Sequence, residues 1–178
     1  MDTRRARGVS LWLMPDGAAG ERLGALIRDL AVRLGTVPFA PHLTLLPGIE
    51  GREDDVLGTA GRLASGLRPL RLSLRSLEGR DEHFRCLIVL AEADEPLRAT
   101  HAAAARAFGR EPDPAFLPHL SLVYGTLAAE RKAALARELA ADAAVSFEAA
   151  RLHVWRTEGP AADWREIGAL RLGGGGRP

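Results

Sequence analysis

The sequence predicts an α+β domain built around antiparallel β-sheets, and three observations support this class. Short segments with strand-like alternation of apolar and polar residues intersperse with longer segments of helical periodicity. Gly79-Arg80-Asp81 is typical of a turn and separates two predicted strands, as in a hairpin. No glycine-rich phosphate loop follows any predicted strand, which argues against a doubly wound parallel fold.

The N-terminal half is predicted to run strand, helix, strand, helix. In the first strand, alternation puts Ser10, Trp12 and Met14 on the face opposite its valine and leucines. The first helix has leucines and an isoleucine at helical spacing and should end at Gly35. Strands are predicted over residues 9–15 and 41–48, and helices over residues 19–34 and 53–67.

The C-terminal half is predicted to contain five strands and two alanine-rich helices. Leu70, Leu72 and Leu74 alternate with polar residues, which indicates a half-buried strand. Residues 109–118 contain three prolines and should form a loop. Strands are predicted over residues 70–75, 84–91, 118–125, 147–156 and 164–172, and helices over residues 95–108 and 128–141.

Length and composition indicate one domain in a reducing compartment. We expect the 178 residues to form a single domain over residues 1–172, with a disordered glycine-rich tail at residues 173–178. The net charge of +1 gives no sign of the basic stripe that long nucleic acids require. Cys86 is the only cysteine, so no internal disulfide can form. The apolar run at residues 9–14 is too short for a signal peptide or a membrane span, so we expect a cytoplasmic protein.

An internal repeat carries the chemistry of this chain. Pro41-His42-Leu43-Thr44-Leu45 recurs as Pro118-His119-Leu120-Ser121-Leu122, and each copy reaches a glycine at the same offset. In a strand, His42 and Thr44 point to one face and the leucines to the other, and the second copy splits in the same way. Each strand therefore presents an imidazole and a hydroxyl together.

Two such strands facing one another could form an acid–base pocket. Histidine titrates near neutral pH, so one imidazole can accept a proton while its mate donates one. The hydroxyls can donate hydrogen bonds to phosphate oxygens. An in-line displacement at phosphorus needs a base and an acid on opposite sides, which a pseudo-symmetric pair supplies without a metal.

The paired motifs resemble the signatures of the two-histidine (2H) phosphoesterase superfamily. The segments Val-Ser-Leu-Trp-Leu-Met-Pro (residues 9–15), Phe-Arg-Cys-Leu (residues 84–87) and Pro-His-Leu-Ser-Leu-Val-Tyr-Gly (residues 118–125) look like the cyclic phosphodiesterase branch of plants and yeast. The related 2′-5′ RNA ligase-like branch usually carries a basic residue after its second motif, whereas this chain has Val123-Tyr124-Gly125. The order of the predicted helices and strands agrees with that of the superfamily from residue 8 to about residue 172.

The resemblance implies a bilobal fold in which two pseudo-symmetric antiparallel sheets line a central groove, with the helices outside. It implies hydrolysis of nucleoside 2′,3′-cyclic phosphates or of ADP-ribose 1″,2″-cyclic phosphate. His42 and His119 would be the acid–base pair, and Thr44 and Ser121 the phosphate donors. The aromatic groups expected to hold the base or ribose are Trp12, Tyr124 and Phe84.

Tyr124 is out of phase with His119 and Ser121 along the strand, so it reaches the groove only if the strand bends before Gly125. Trp12 is equally compatible with a place in the core.

Two other functions remain open from sequence. One is an RNA-end cyclic phosphodiesterase or 2′-5′ RNA ligase-like enzyme, and the other is a catalytically silent nucleotide-binding module. His83, His101 and His153 lack metal-ligand spacing and are interpreted as exposed or structural. We therefore expect no metal. We also expect no other cofactor, no membrane association and no obligatory protein partner. The expected partners are small cyclic-phosphate nucleotides or RNA ends.

Overall fold

The computed structural model describes residues 6–173, so the predicted tail lies outside the described residues except for Gly173. This part of the chain forms four α-helices and eight β-strands. The helices are α1 (Gly17–Leu34), α2 (Glu53–Gly66), α3 (Glu95–Ala107) and α4 (Ala129–Ala143). The strands are β1 (Val9–Leu13), β2 (Leu43–Ile49), β3 (Leu70–Gly79), β4 (Leu87–Ala91), β5 (His119–Val123), β6 (Ser146–Ala149), β7 (Arg151–Arg156) and β8 (Arg165–Arg171).

The strands form one curled antiparallel sheet of two related halves, in the order β6-β3-β4-β5-β2-β1-β7-β8. From the centre outward, β5-β4-β3 on one side corresponds to β2-β1-β7 on the other. Each half has a helix connecting its two inner strands, α1 between β1 and β2 and α3 between β4 and β5. The predicted α+β fold with two pseudo-symmetric halves is therefore confirmed.

The two halves meet where the repeated motifs pair. Strand β2 is joined to β5 through the pairing of Leu43 with Leu120, which are equivalent residues of the two motifs. In this antiparallel register, His42 lies across from Ser121 and Thr44 lies across from His119. Pairing of equivalent residues thus gathers both imidazoles and both hydroxyls at the centre of one sheet face.

The opposite face of the sheet carries the hydrophobic core. The motif leucines are buried in one cluster with residues of α1 such as Leu23 and Ile27. Helix α1 packs on β5 and α3 packs on β2, so each half covers the motif strand of the other. The helix α1 ends, as predicted, at Gly35, whose φ of 66° is the left-handed conformation that glycine tolerates best.

Two predicted elements differ from the structure. The strand predicted over residues 84–91 begins only at Leu87, because His83–Arg85 form a short 3₁₀ turn. The single strand predicted over residues 147–156 is two strands interrupted at Ala150, of which β6 pairs with β3 and β7 pairs with β1. The apolar positions change phase at this break, from Phe147 and Ala149 in β6 to Leu152 and Val154 in β7, but the phase change alone does not show that the chain crosses from one half of the sheet to the other.

Candidate active site

The polar face of the central strands forms the floor of an open groove. His42, Thr44, His119 and Ser121 all line it. Trp12 joins them because β1 pairs with β2 in a register that sets Trp12 directly across from Thr44. The structure thus brings the four predicted motif residues together in one cavity.

Both histidines are held by the same local hydrogen bond. Nδ1 of His42 lies 2.7 Å from the carbonyl oxygen of Ala40, and Nδ1 of His119 lies 2.7 Å from that of Leu117. A proline follows each of these carbonyl residues and restricts it to extended conformations, so both copies present the oxygen alike. An Nδ1–H donated to the carbonyl leaves Nε2 of each neutral ring to face the groove.

His42 is enclosed by aromatic rings. Its imidazole stacks on Trp12 with ring centroids 3.5 Å apart and planes 8° apart, and Trp155 stacks on the far side of Trp12 at 4.5 Å. The Tyr124 hydroxyl lies 3.4 Å from Nε2 of His42, where it can donate a weak hydrogen bond. His42 is only 5% exposed, whereas His119 is more accessible.

Burial also changes the acid–base properties of these groups. Desolvation lowers the pKa of His42 to about 3, and the nearby charge of His119 acts in the same direction. Desolvation lowers the pKa of His119 as well, assisted by the positive charge of Arg85. Burial raises the pKa of Tyr124, so its phenol stays protonated. In the unliganded groove, both imidazoles therefore favour the neutral form.

The two motif hydroxyls differ in their hydrogen bonding within the protein. Ser121 donates a hydrogen bond of 2.8 Å to the carbonyl oxygen of Phe84 and is 6% exposed. The side-chain hydroxyl of Thr44 has no hydrogen-bond partner within residues 6–173 and is therefore available to a ligand. The pseudo-symmetry of the motifs is thus broken at the hydroxyls.

Aromatic side chains form one wall of the groove. Strand β5 ends at Val123, so Tyr124 no longer follows the alternation of the strand. Its side chain therefore lines the groove together with His119 and Ser121. Phe84 meets Tyr124 edge to face at 5.1 Å, and Phe39 stacks on Tyr124 at 3.7 Å. Trp12 lines the groove and is also 2% exposed, because it is sandwiched in the ring stack.

Two lining residues were missed by sequence reasoning. Trp164, between β7 and β8, lies 5.7 Å from Phe84 and 5.8 Å from both Trp12 and Tyr124, measured between ring centroids. Arg85 places a guanidinium at the groove, where its only salt bridge within the described residues is a partly exposed one to Glu82. The one sequence feature that could have indicated Arg85 as a lining residue was its position next to the candidate Phe84. No local sequence pattern indicated that Trp164 lines the groove.

The remaining histidines differ in their roles. His101 is buried and structural, since Nδ1 lies 2.9 Å from the Leu45 carbonyl oxygen and Nε2 accepts from the backbone of Asp113. His153 is also buried, with Nδ1 3.5 Å from a Glu166 carboxylate oxygen. His83 lies in the 3₁₀ turn beside Phe84. Across residues 6–173, no group of three or more histidine, cysteine, aspartate or glutamate side chains is arranged to hold a metal ion.

No helix in the described part of the chain has the length and apolar character needed to cross a membrane.

Comparison with known protein families identifies the family of this chain. The model of the 2′-5′ RNA ligase superfamily matches residues 16–161, which include both histidine motifs. The chain belongs to this superfamily. The predicted membership of the two-histidine phosphoesterases is confirmed, whereas placement in the plant and yeast cyclic phosphodiesterase branch remains a prediction.

Solved structures of other proteins share the superfamily fold. The Thermus thermophilus protein TT0787 superposes with a TM-score of 0.62 at 21% identity, covering 94% of this chain and 98% of its own. Escherichia coli LigT complexed with 3′-AMP gives 0.56 at 16% identity, with the same coverage of 94% and 98%. Kluyveromyces marxianus Usb1 gives 0.51 at 13% identity, covering 94% and 99%. A search of proteins with curated functions finds no significant match.

Proposed function

We propose that this protein is a cyclic phosphodiesterase that opens ribose cyclic phosphates to monophosphate esters. The substrates would be nucleoside 2′,3′-cyclic phosphates, ADP-ribose 1″,2″-cyclic phosphate or both. The observation that carries the proposal is the matched pair of imidazoles, each anchored through Nδ1 so that Nε2 faces a common groove. Such a pair supplies a base and an acid when one imidazole is neutral and the other is protonated.

In the proposed reaction, His42 is the general base and His119 is the general acid. Burial favours the neutral form of His42 most strongly, so its Nε2 is ready to take a proton from water. The water oxygen forms a bond to phosphorus as the bond from phosphorus to the ribose 3′-oxygen breaks. A protonated His119 donates its Nε2 proton to that oxygen, and the product is a nucleoside 2′-phosphate.

The less enclosed position of His119 suits the acid role. An anionic substrate placed beside an imidazole favours its protonated form and so opposes the effect of burial. Among the charged side chains around His119, Arg85 and Arg80 lower its pKa and Glu82 raises it, and a bound anion would offset the effect of the two arginines. Binding of the substrate would thus raise the pKa of His119 toward the range in which it can donate a proton.

Three donors would hold the phosphate. Thr44 offers a hydroxyl without a competing partner, and Arg85 offers N–H groups that match phosphate oxygens. Ser121 would have to turn its hydroxyl away from the Phe84 carbonyl oxygen to donate to phosphate. Thr44 and Arg85 are therefore expected to contribute more to phosphate binding than Ser121.

The aromatic wall would take the base or ribose. Phe84 and Trp164 retain partial exposure at the groove, so they offer the accessible ring faces. Trp12 already has rings on both faces, and it would act chiefly by enclosing His42. In support of a nucleotide ligand, LigT has been crystallised with 3′-AMP.

A second candidate is an enzyme that acts on RNA ends, as a cyclic phosphodiesterase or as a 2′-5′ RNA ligase-like enzyme. The match to the 2′-5′ RNA ligase superfamily model favours it, and the reacting atoms are the same. If a ribose 5′-hydroxyl took the place of water as nucleophile, the same acid–base pair would join two RNA ends.

Product analysis would separate these functions. The purified protein is incubated in EDTA with a nucleoside 2′,3′-cyclic phosphate, with ADP-ribose 1″,2″-cyclic phosphate and with an RNA oligomer ending in a 2′,3′-cyclic phosphate. We expect a 2′-phosphate from the nucleotide, formed at least about a hundredfold more slowly by His42→Ala and by His119→Ala. Failure of folded protein to hydrolyse any of the three would overturn the proposal and favour a silent binding module.

A further inference from the structure

The loop that joins β3 to β4 carries two of the residues that line the catalytic groove. It spans residues 80–86, and the strand residues on either side of it, Gly79 and Leu87, pair with one another. Phe84 and Arg85 line the groove from this loop, although neither of them belongs to a strand of the sheet. The position of the Arg85 guanidinium therefore depends on the contacts that hold the 80–86 loop.

On the groove side, strand β5 and the residues after it hold the second half of this loop. The Ser121 hydroxyl donates a hydrogen bond of 2.8 Å to the carbonyl oxygen of Phe84. The backbone N–H of Gly125 donates one of 2.9 Å to the carbonyl oxygen of His83. Both bonds act on the backbone just before Arg85, so the first half of the loop needs an attachment of its own.

Lys132 supplies this attachment from the first turn of α4. Its side chain is only 8% exposed, and its Nζ donates a hydrogen bond of 2.9 Å to the carbonyl oxygen of Arg80 and another to the carboxylate of Asp81. The stem of the lysine lies against Gly79, where an added Cβ would stand 2.6 Å from the Cβ of Lys132. A buried ammonium thus fastens the first half of the 80–86 loop to α4.

Lys132 is also the only lysine of the chain, since every other basic side chain of this kind is arginine. An ammonium is a compact charge with three donors that can turn toward different acceptors, whereas a guanidinium is larger and presents its donors in a fixed planar fork. The pocket between α4 and the loop asks for a compact donor, because it must reach a backbone carbonyl and a carboxylate on successive residues. The one lysine therefore stands where its shape matters.

We propose that Lys132 is a positioning residue for the hydrolysis, because it holds the 80–86 loop so that Arg85 and Phe84 face the groove. This inference rests on the proposed function, in which Arg85 binds the substrate phosphate. Without the ammonium, the Arg80 carbonyl oxygen loses this donor and the first half of the loop is released from α4. The guanidinium then spends part of its time away from the groove, and phosphate binding weakens.

The acid–base pair should be little affected by this release. His42 and His119 lie at the start of β2 and β5, and each is anchored through Nδ1 by a carbonyl two residues before it. Neither anchor involves the 80–86 loop. Loss of Lys132 should therefore raise KM more than it lowers kcat.

Lys132→Met tests the proposal, because methionine keeps most of the apolar stem and removes the ammonium. With adenosine 2′,3′-cyclic phosphate as substrate, we expect KM to rise about tenfold, as for the loss of a hydrogen bond between charged groups, and kcat to change much less. Arg131→Met is the matched control. Arg131 is an exposed cation in the same turn of α4 and makes no hydrogen bond with the loop within residues 6–173, so its KM should remain that of the wild type.

A double-mutant cycle with Arg85→Gln shows whether Lys132 acts through the guanidinium. If it does, Lys132→Met should raise KM much less in the Arg85→Gln background than in the wild type, because the group it positions is already gone. Asp81→Asn covers the case in which Lys132→Met does not fold, since it alters only an exposed side chain at the loop end of the same contact. It should raise KM about twofold, and again only where Arg85 is present.

The possible outcomes separate this inference from the proposed function. A folded Lys132→Met protein with a lower melting temperature and the wild-type KM would show a purely structural lysine and overturn the positioning role. A rise in KM that is as large in the Arg85→Gln background would overturn it as well. Both results leave the proposed hydrolysis standing, whereas a folded wild-type protein that hydrolyses no cyclic phosphate would end both proposals.

Discussion

The stack of Trp12 on His42 leads to a prediction about the protonation of the proposed catalytic base. Trp12→Phe replaces the indole with a smaller ring and leaves space beside the imidazole that water can enter. Since desolvation is the largest cause of the low pKa of His42, hydration should raise that pKa from about 3 toward the ordinary 6.5.

The size of the effect follows from the enclosure of His42. The difference between about 3 and 6.5 corresponds to roughly 5 kcal/mol of preference for the neutral ring, at 1.36 kcal/mol for each pKa unit. Because phenylalanine keeps part of the stack, we expect Trp12→Phe to recover only part of this difference, on the order of 1 kcal/mol. Complete removal in Trp12→Ala should recover more, but would cost about 3–5 kcal/mol of stability as a large core deletion.

NMR titration of the imidazole resonances measures the pKa directly in folded protein. Trp155→Phe serves as the control, since Trp155 stacks on the far face of Trp12 and has no ring contact with His42 among the described aromatic pairs. Its effect on His42 should be smaller than that of Trp12→Phe. A wild-type His42 that titrates near 6.5, or a pKa unmoved by Trp12→Phe, would refute the argument that the ring stack desolvates this base.

Three further predictions concern catalysis. His42→Ala and His119→Ala should each lower kcat by at least about two decades with smaller changes in KM, and steady-state kinetics showing near wild-type kcat in either would exclude the two-histidine mechanism. The double variant should lose less than the product of the single losses, because the two groups act in one transfer. Thr44→Ala should raise KM more than Ser121→Ala, since only the Ser121 hydroxyl is already engaged within the protein; equal effects would contradict this difference. The kcat/KM profile should be bell-shaped with its optimum below pH 6.5, because the acid must be protonated and burial lowers the pKa of His119, whereas an optimum well above pH 7 would contradict the assignment.

Several features of the site followed from local sequence alone. The period of two along a strand was enough to separate His42 and Thr44 from the leucines, whatever the rest of the chain did. The same pattern in His119 and Ser121, with a proline before each histidine, indicated two equivalent strands. Strand alternation and helix periodicity also predicted the number and order of nearly all elements.

Other predictions failed or stayed incomplete because they depended on neighbours distant in sequence. The phase change of the apolar positions at Ala149–Ala150 marks a break, but the strand with which β6 and β7 each pair is set by the rest of the sheet. Trp164, which sequence reasoning missed, lies in a loop whose placement is set by the pairing of β7 with β8. No local periodicity encodes such contacts.

The sequence by itself determined the chemical groups of the groove, their sheet face and their superfamily. Only the tertiary structure decided that the two histidines are unequal. Their motifs are nearly identical and each makes the same local hydrogen bond, but Trp12 and Tyr124 enclose only His42. The cost of charging a side chain depends on everything that excludes water around it, so a repeated motif specifies two equivalent imidazoles and the packing of remote segments holds one of them more strongly in its neutral form.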